Sequence, residues 1–161
     1  SFPIAAGAFV GEHAFSAVIG KGRPDQEDLA VAGDFGRRVA TMLLSKHHKK
    51  PGTVLWVPGT EYPYRGYYQP LDPAGDPVRF LKAVPETASS CIDCKLCVDV
   101  CPMGAVDRND VSLITGRCIK CCACVRRCPV SAKQFTDPGF IAHRTMLEQT
   151  LTRRPEPELY F

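Results

Sequence analysis

The stretch C-I-D-C-K-L-C-V-D-V-C-P at residues 91–102 returns 27 positions later, from Cys91 to Cys118, as C-I-K-C-C-A-C-V-R-R-C-P at residues 118–129. The first copy carries Cys91, Cys94, Cys97 and Cys101, closed by Pro102. The second carries Cys118, Cys121, Cys124 and Cys128, closed by Pro129. Each is the run C-x2-C-x2-C-x3-C-P, which holds cubane iron–sulfur clusters. Three closely spaced thiolates can wrap one cubane from a single loop, with backbone amides turned toward the sulfides. The fourth leaves that loop, and proline suits the exit because it fixes φ and donates no hydrogen bond. The spacing predicts two [4Fe–4S] clusters and one-electron transfer.

Two other uses of cysteine fit less well. Four-cysteine zinc sites usually pair two C-x2-C units across a longer loop, and three thiols in tandem crowd a single ion. Disulfides belong to oxidising compartments and small secreted domains, and the N-terminus shows no basic segment followed by an apolar one. Cys122, the ninth cysteine, takes the place of Lys95 in the repeat. Its readings are a small buried thiol, a redox-sensitive thiol, or a substitute ligand.

Residues 91–135 resemble a bacterial two-cluster ferredoxin, with eight cysteines and two prolines in register. The resemblance implies a pseudo-two-fold fold of two short hairpins and two short helices. It also implies crossed ligation, since the last cysteine of each run serves the other cluster in such proteins. One set is Cys91, Cys94, Cys97 and Cys128; the other is Cys118, Cys121, Cys124 and Cys101. Between the motifs, Ala105 and Val106 face Val111, Leu113 and Ile114 across the polar stretch 107–110, which reads as a hairpin. Ala132, Gln134 and Phe135 sit where a returning strand runs.

The chain has 161 residues, 45% hydrophobic, with a formal charge of +3. Two ligated clusters at about −2 each bring the loaded chain to about −1, so its basic balance does not argue for nucleic acid. No apolar run of membrane-spanning length exists. Cubane chemistry suits reducing surroundings, and the expected location is the cytoplasm.

Outside the cysteines, residues 2–10 read as a small apolar strand and residues 14–19 as a strand or short helix. Asp25, followed by Asp28, reads as the cap of a helix. Leu29, Ala32, Phe35, Val39, Leu43 and Leu44 recur at helical spacing. The cationic run 46–50 suits the helix C-terminus, and Pro51-Gly52 ends it. Residues 51–88 hold Trp56, Tyr62, Tyr64, Tyr67 and Tyr68 among prolines that exclude a long helix. They read as an extended linker packing its aromatics on a neighbouring unit, with residues 54–57 as an edge strand. Residues 136–139 read as a turn, and residues 141–151 as a helix. On that helix His143 reads as a surface residue, and residues 153–161 as a loosely ordered tail.

A-A-G-A-F-V-G-E-H-A-F-S at residues 5–16 and G-R-P-D-Q-E-D-L at residues 22–29 are similar to the end of the flavodoxin-like domain of flavodoxin–ferredoxin fusion proteins. That resemblance places Gly11, Glu12 and His13 near a flavin; on the residues alone they read equally as an ordinary strand-end loop. The phosphate-binding loop of a flavodoxin is not in these residues, and the chain begins with Ser1 rather than Met. The expectation is a fragment, a processed product or an incomplete reading, with FMN only where the missing flavodoxin half is present.

The expected fold is α+β: a two-cluster ferredoxin-like domain at residues 89–137 with pseudo-two-fold symmetry. An incomplete flavodoxin-like α/β segment at 1–50 and a Pro/Tyr-rich linker at 51–88 precede it, and a helix and tail at 138–161 follow. The expected role is passing single electrons between redox partners. The alternative is an electron-transfer module of a flavin-dependent oxidoreductase. An electron carrier or a module of an oxidoreductase is expected rather than a self-sufficient enzyme. Expected partners are a redox or flavin protein, with no nucleic acid and no membrane span. Lys95, Lys120, Arg126 and Arg127 lie among or beside the ligands. They either raise the potentials, sit solvated on the surface, or dock an acidic partner.

Overall fold

Apolar spacing, caps and the cysteine turns divide the chain into short elements. The computed structural model describes residues 4–45, 55–59, 61, 63, 66 and 68–161. Its elements are β1 (Ala6–Ala8), α1 (Gln26–Leu44), β2 (Glu86–Thr87), α2 (Leu96–Asp99), α3 (Ala123–Arg127), β3 (Lys133–Gln134), α4 (Pro138–Thr150) and β4 (Glu158–Tyr160). They form a mixed α+β arrangement with two two-stranded sheets, β1–β4 and β2–β3. Two units result: one of Ser1–Glu12, Gly20–Tyr67 and Arg153–Phe161, the other of His13–Ile19 and Tyr68–Thr152.

In the first unit α1 starts as the sequence predicts. Asp25 accepts from the Asp28 amide and Asp28 accepts from the Asp25 amide, each at 3.0 Å, closing a capping box. Buried Arg23 pairs with buried Asp28, and that guanidinium holds the Asp28 carboxyl well below the usual carboxylate range. Arg154 adds a bond to Asp25 at 2.7 Å. The helix ends at Leu44 with Ser45 as its C-cap; the cationic run 46–50 and Pro51-Gly52 lie outside the described residues. Its apolar stripe is only partly covered. Phe35 packs on Phe9 and Phe161, while Leu29, Leu43 and Leu44 stay exposed.

The C-terminal segment corrects the expectation of a loose tail. β4 pairs antiparallel with β1, Ala6 against Tyr160 and Ala8 against Glu158. The Arg38 guanidinium lies 3.5 Å over the Phe161 ring, a cation–π contact that fixes the last residue. The strand–loop–helix order expected for residues 1–50 is present. Its strand, however, joins an antiparallel pair, whereas a flavodoxin-like sheet is parallel. Residues 14–19 form a turn rather than a strand or helix. Residues 55–57 are not a strand, and Trp56 is exposed instead of packed; Val54, Tyr62, Tyr64 and Tyr67 lie outside the described residues.

The second unit is built on the repeat. Residues 107–110 turn as the hairpin reading requires, with the Asp107 carboxylate accepting from the Asn109 and Asp110 amides at 2.8 and 2.9 Å. Val106 then bridges Ile114. The equivalent pair 27 positions away is Thr87 with Lys133 in the β2–β3 sheet. α4 starts earlier than expected. Residues 136–139 are not a free turn: Asp137 caps the helix by accepting from Phe140, and Pro138 fills its first position. His143 is buried rather than surface. Its Nδ1 meets the Leu71 carbonyl at 2.9 Å and its ring stacks on Phe80. A carbonyl only accepts, so Nδ1 carries the proton. Phe135, Phe140, Ala83 and Cys122 form the core beneath it.

Candidate metal centre

Each cysteine loop is shaped by residues in the left-handed region. Asp93 and Lys95 have φ of 53° and 61°; Lys120 and Cys122, 27 positions on, both have 58°. Such backbone costs about 1–2 kcal/mol per non-glycine residue. It turns amides toward sulfur: Asp93 donates to Cys91 Sγ and Lys120 to Cys118 Sγ, both at 3.4 Å. A second left-handed pair, Gly104 at 56° and Ser131 at 52°, shapes the exit turns. There Ala105 donates to Cys101 Sγ at 3.3 Å and Ala132 to Cys128 Sγ at 3.2 Å. Buried Ala105 and Ala132 leave room for that close approach.

The thiols are tuned in two ways. Burial pushes the Cys97 and Cys124 thiols up, Cys124 to about 11. At Cys101 and Cys128 burial works the same way, but a fan of backbone amides outweighs it and both fall below the ordinary value. At the two exit cysteines, then, the backbone favours the thiolate.

Two cavities gather the cysteines. One is lined by Cys91, Cys94, Cys97 and Cys128, with Val111 and Lys133. The other is lined by Cys118, Cys121, Cys124 and Cys101, with Cys122, Ile119 and Phe135. Three thiols of one loop thus share each cavity with the last cysteine of the other loop. Cys94 and Cys121 are exposed and the other six are partly buried. Among the described residues no three Cys, His, Asp or Glu groups converge tightly enough for a single metal ion. Four thiols set around a mostly apolar cavity, with amides aimed at their sulfurs, fit a polynuclear core.

Residues 83–129 match the 4Fe-4S dicluster domain. Two [4Fe–4S] clusters are the cofactors such a domain points to, and it implies an iron–sulfur electron-transfer role. Comparison with curated proteins and with solved structures returns no significant match. The dicluster match covers both cysteine runs and no residue before Ala83. No helix among the described residues is long and apolar enough to cross a membrane.

The ninth cysteine lies in the second cavity yet differs from its neighbours. Cys122 is 3% exposed, and its Sγ contacts the Lys120 carbonyl at 3.5 Å. Burial, then the neighbouring thiols, push it up to about 12. Sequence reasoning missed Lys133, which is buried against the first cavity. The repeat offered a signal, because Lys133 stands where the first copy has Val106.

Proposed function

We propose that the chain carries single electrons between redox partners, with Cys91, Cys94, Cys97 and Cys128 holding one [4Fe–4S] cluster and Cys118, Cys121, Cys124 and Cys101 the other. The observation that carries this reading is the composition of the two cavities, each combining three thiols of one loop with the exit thiol of the other. When bound, each cluster supplies reversible one-electron chemistry. The chain's part is to hold, insulate and tune. Amides at Asp93, Lys120, Ala105 and Ala132 point at ligand sulfurs, stabilising negative charge there. Buried Val106, Val111 and Ala132 exclude water between the loops. Exposed Cys94 and Cys121 give each site an edge a partner can approach.

The proposed partner is another redox protein or a flavin protein, in a reducing compartment such as the cytoplasm. The second reading, a module of a flavin-dependent oxidoreductase with FMN on a flavodoxin-like half, rests on the likeness of residues 1–50 and on β1 followed by α1. The antiparallel β1–β4 pair weighs against it.

Iron and acid-labile sulfide on anaerobically purified protein, with EPR after dithionite reduction, test the carrier reading. About eight of each per chain with signals of interacting [4Fe–4S] centres is the expected result. Zinc without sulfide overturns it.

A further inference from the structure

Lys133 is 2% exposed, the deepest charged side chain of the second unit among the described residues. Its backbone belongs to β3, paired with Thr87 as Val106 is bridged to Ile114. The two positions are equivalent, yet one repeat fills the space with an aliphatic side chain and the other with an ammonium. The ammonium donates to the Val111 carbonyl. It has three donors, and no carboxylate among the described residues forms an ion pair with it. An ammonium buried against one neutral acceptor is strongly unfavourable unless negative charge lies near. The structure supplies a source, since Lys133 lines the cavity of Cys91, Cys94, Cys97 and Cys128.

We propose that Lys133 is a built-in counter-charge to the Cys91, Cys94, Cys97 and Cys128 set, whose cavity it lines and whose reduction potential it raises. The inference rests on the carrier reading above. Uptake of one electron from a reductant such as dithionite takes an occupied set from about −2 to about −3 overall. No bond forms or breaks and no proton moves, so a fixed positive charge nearby favours the product. Arg126 and Arg127 lie on the exposed surface, where salt screens charge within about 10 Å. A buried ammonium escapes most of that screening.

The test is anaerobic voltammetry on cluster-loaded wild type, K133M and K133R, with iron and sulfide measured on each. Methionine keeps the length and removes the charge; arginine keeps the charge. At a fixed electrode potential K133M is expected to hold its first site in a reduced-to-oxidised ratio about tenfold lower, equivalent to 59 mV for one electron. K133R stays near wild type. Full iron in K133M with unmoved potentials overturns the inference and leaves the carrier reading intact. Wild type without iron and sulfide overturns both. If K133M does not assemble, K133V places the residue of the first repeat at this position. Failure of both neutral variants beside a loaded K133R supports the need for charge. Failure of K133R as well shows a demand for shape alone and overturns the inference.

Discussion

In residues 91–106 the left-handed positions are Asp93, Lys95 and Gly104; in residues 118–133 they are Lys120, Cys122 and Ser131. The amide-to-sulfur bonds match one for one, and so do the helical turns α2 and α3. The side chains do not. Lys95 is partly buried, lines the first cavity and pairs with Asp93 at 2.7 Å, while Cys122 is buried in the core. Exposed Arg108 corresponds to buried Phe135, and Val106 to Lys133. The first loop carries Asp93 and Asp99, the second Lys120, Arg126 and Arg127. Ligand geometry dictates the backbone of both copies. The positions it leaves free have been used to cover one copy with α4 and to set a buried charge against the first cavity.

The sharpest way to break this equivalence is to remove ligands in pairs. With crossed ligation, C91S/C128S damages one site and retains about four iron, whereas C91S/C101S damages both and retains almost none. Ligation within each loop predicts the reverse. Iron and sulfide content per chain, beside the EPR spectrum, decides between them. Folding of the second unit should follow the metal, because ligation and folding are coupled.

What is legible in the amino-acid sequence follows the same division. The eight cysteines picked out by spacing all line the two cavities, joined in the second by Cys122, and spacing finds them because a cubane constrains sequence over a dozen residues. The Asp25–Asp28 cap and the turn at 107–110 were legible for a similar reason: both are closed by bonds spanning two or three residues. The β1–β4 pair was not, because three residues at each end of the chain carry no sign of the partner. His143 and Lys133 were missed because their acceptors, the Leu71 and Val111 carbonyls, lie 72 and 22 residues away. A polar side chain looks like surface until its distant partner is known.

A smaller effect sharpens the contrast between covered and bare repeats. Phe135 stacks on Phe140 with ring centroids 4.1 Å apart and is 9% exposed. Phe135→Ala should cost about 3–5 kcal/mol, as truncating a core aromatic does. Its counterpart Arg108 makes an exposed pair with Asp99 at 2.6 Å. Arg108→Ala should cost under about 1 kcal/mol. Denaturant midpoints on loaded protein under argon give both values, and equal losses would show that α4 does not make the second repeat special.

The smallest effect concerns the two N-cap positions, Lys95 and Cys122. Both adopt the same left-handed backbone, so the difference lies in the side chain alone. The Cys122 thiol, pushed up to about 12 first by burial and then by the thiols around it, stays protonated near neutral pH. A protonated thiol is neither nucleophile nor ligand. Cys122→Ala should therefore keep about eight iron per chain and lose only about 1 kcal/mol for one buried atom. Loaded wild type treated with iodoacetamide at neutral pH should show no alkylation at residue 122 by mass spectrometry. Rapid labelling there would make Cys122 a reactive thiol. Loss of iron in Cys122→Ala would make it a ligand, and the second repeat would then differ from the first in its metal chemistry as well as in its covering.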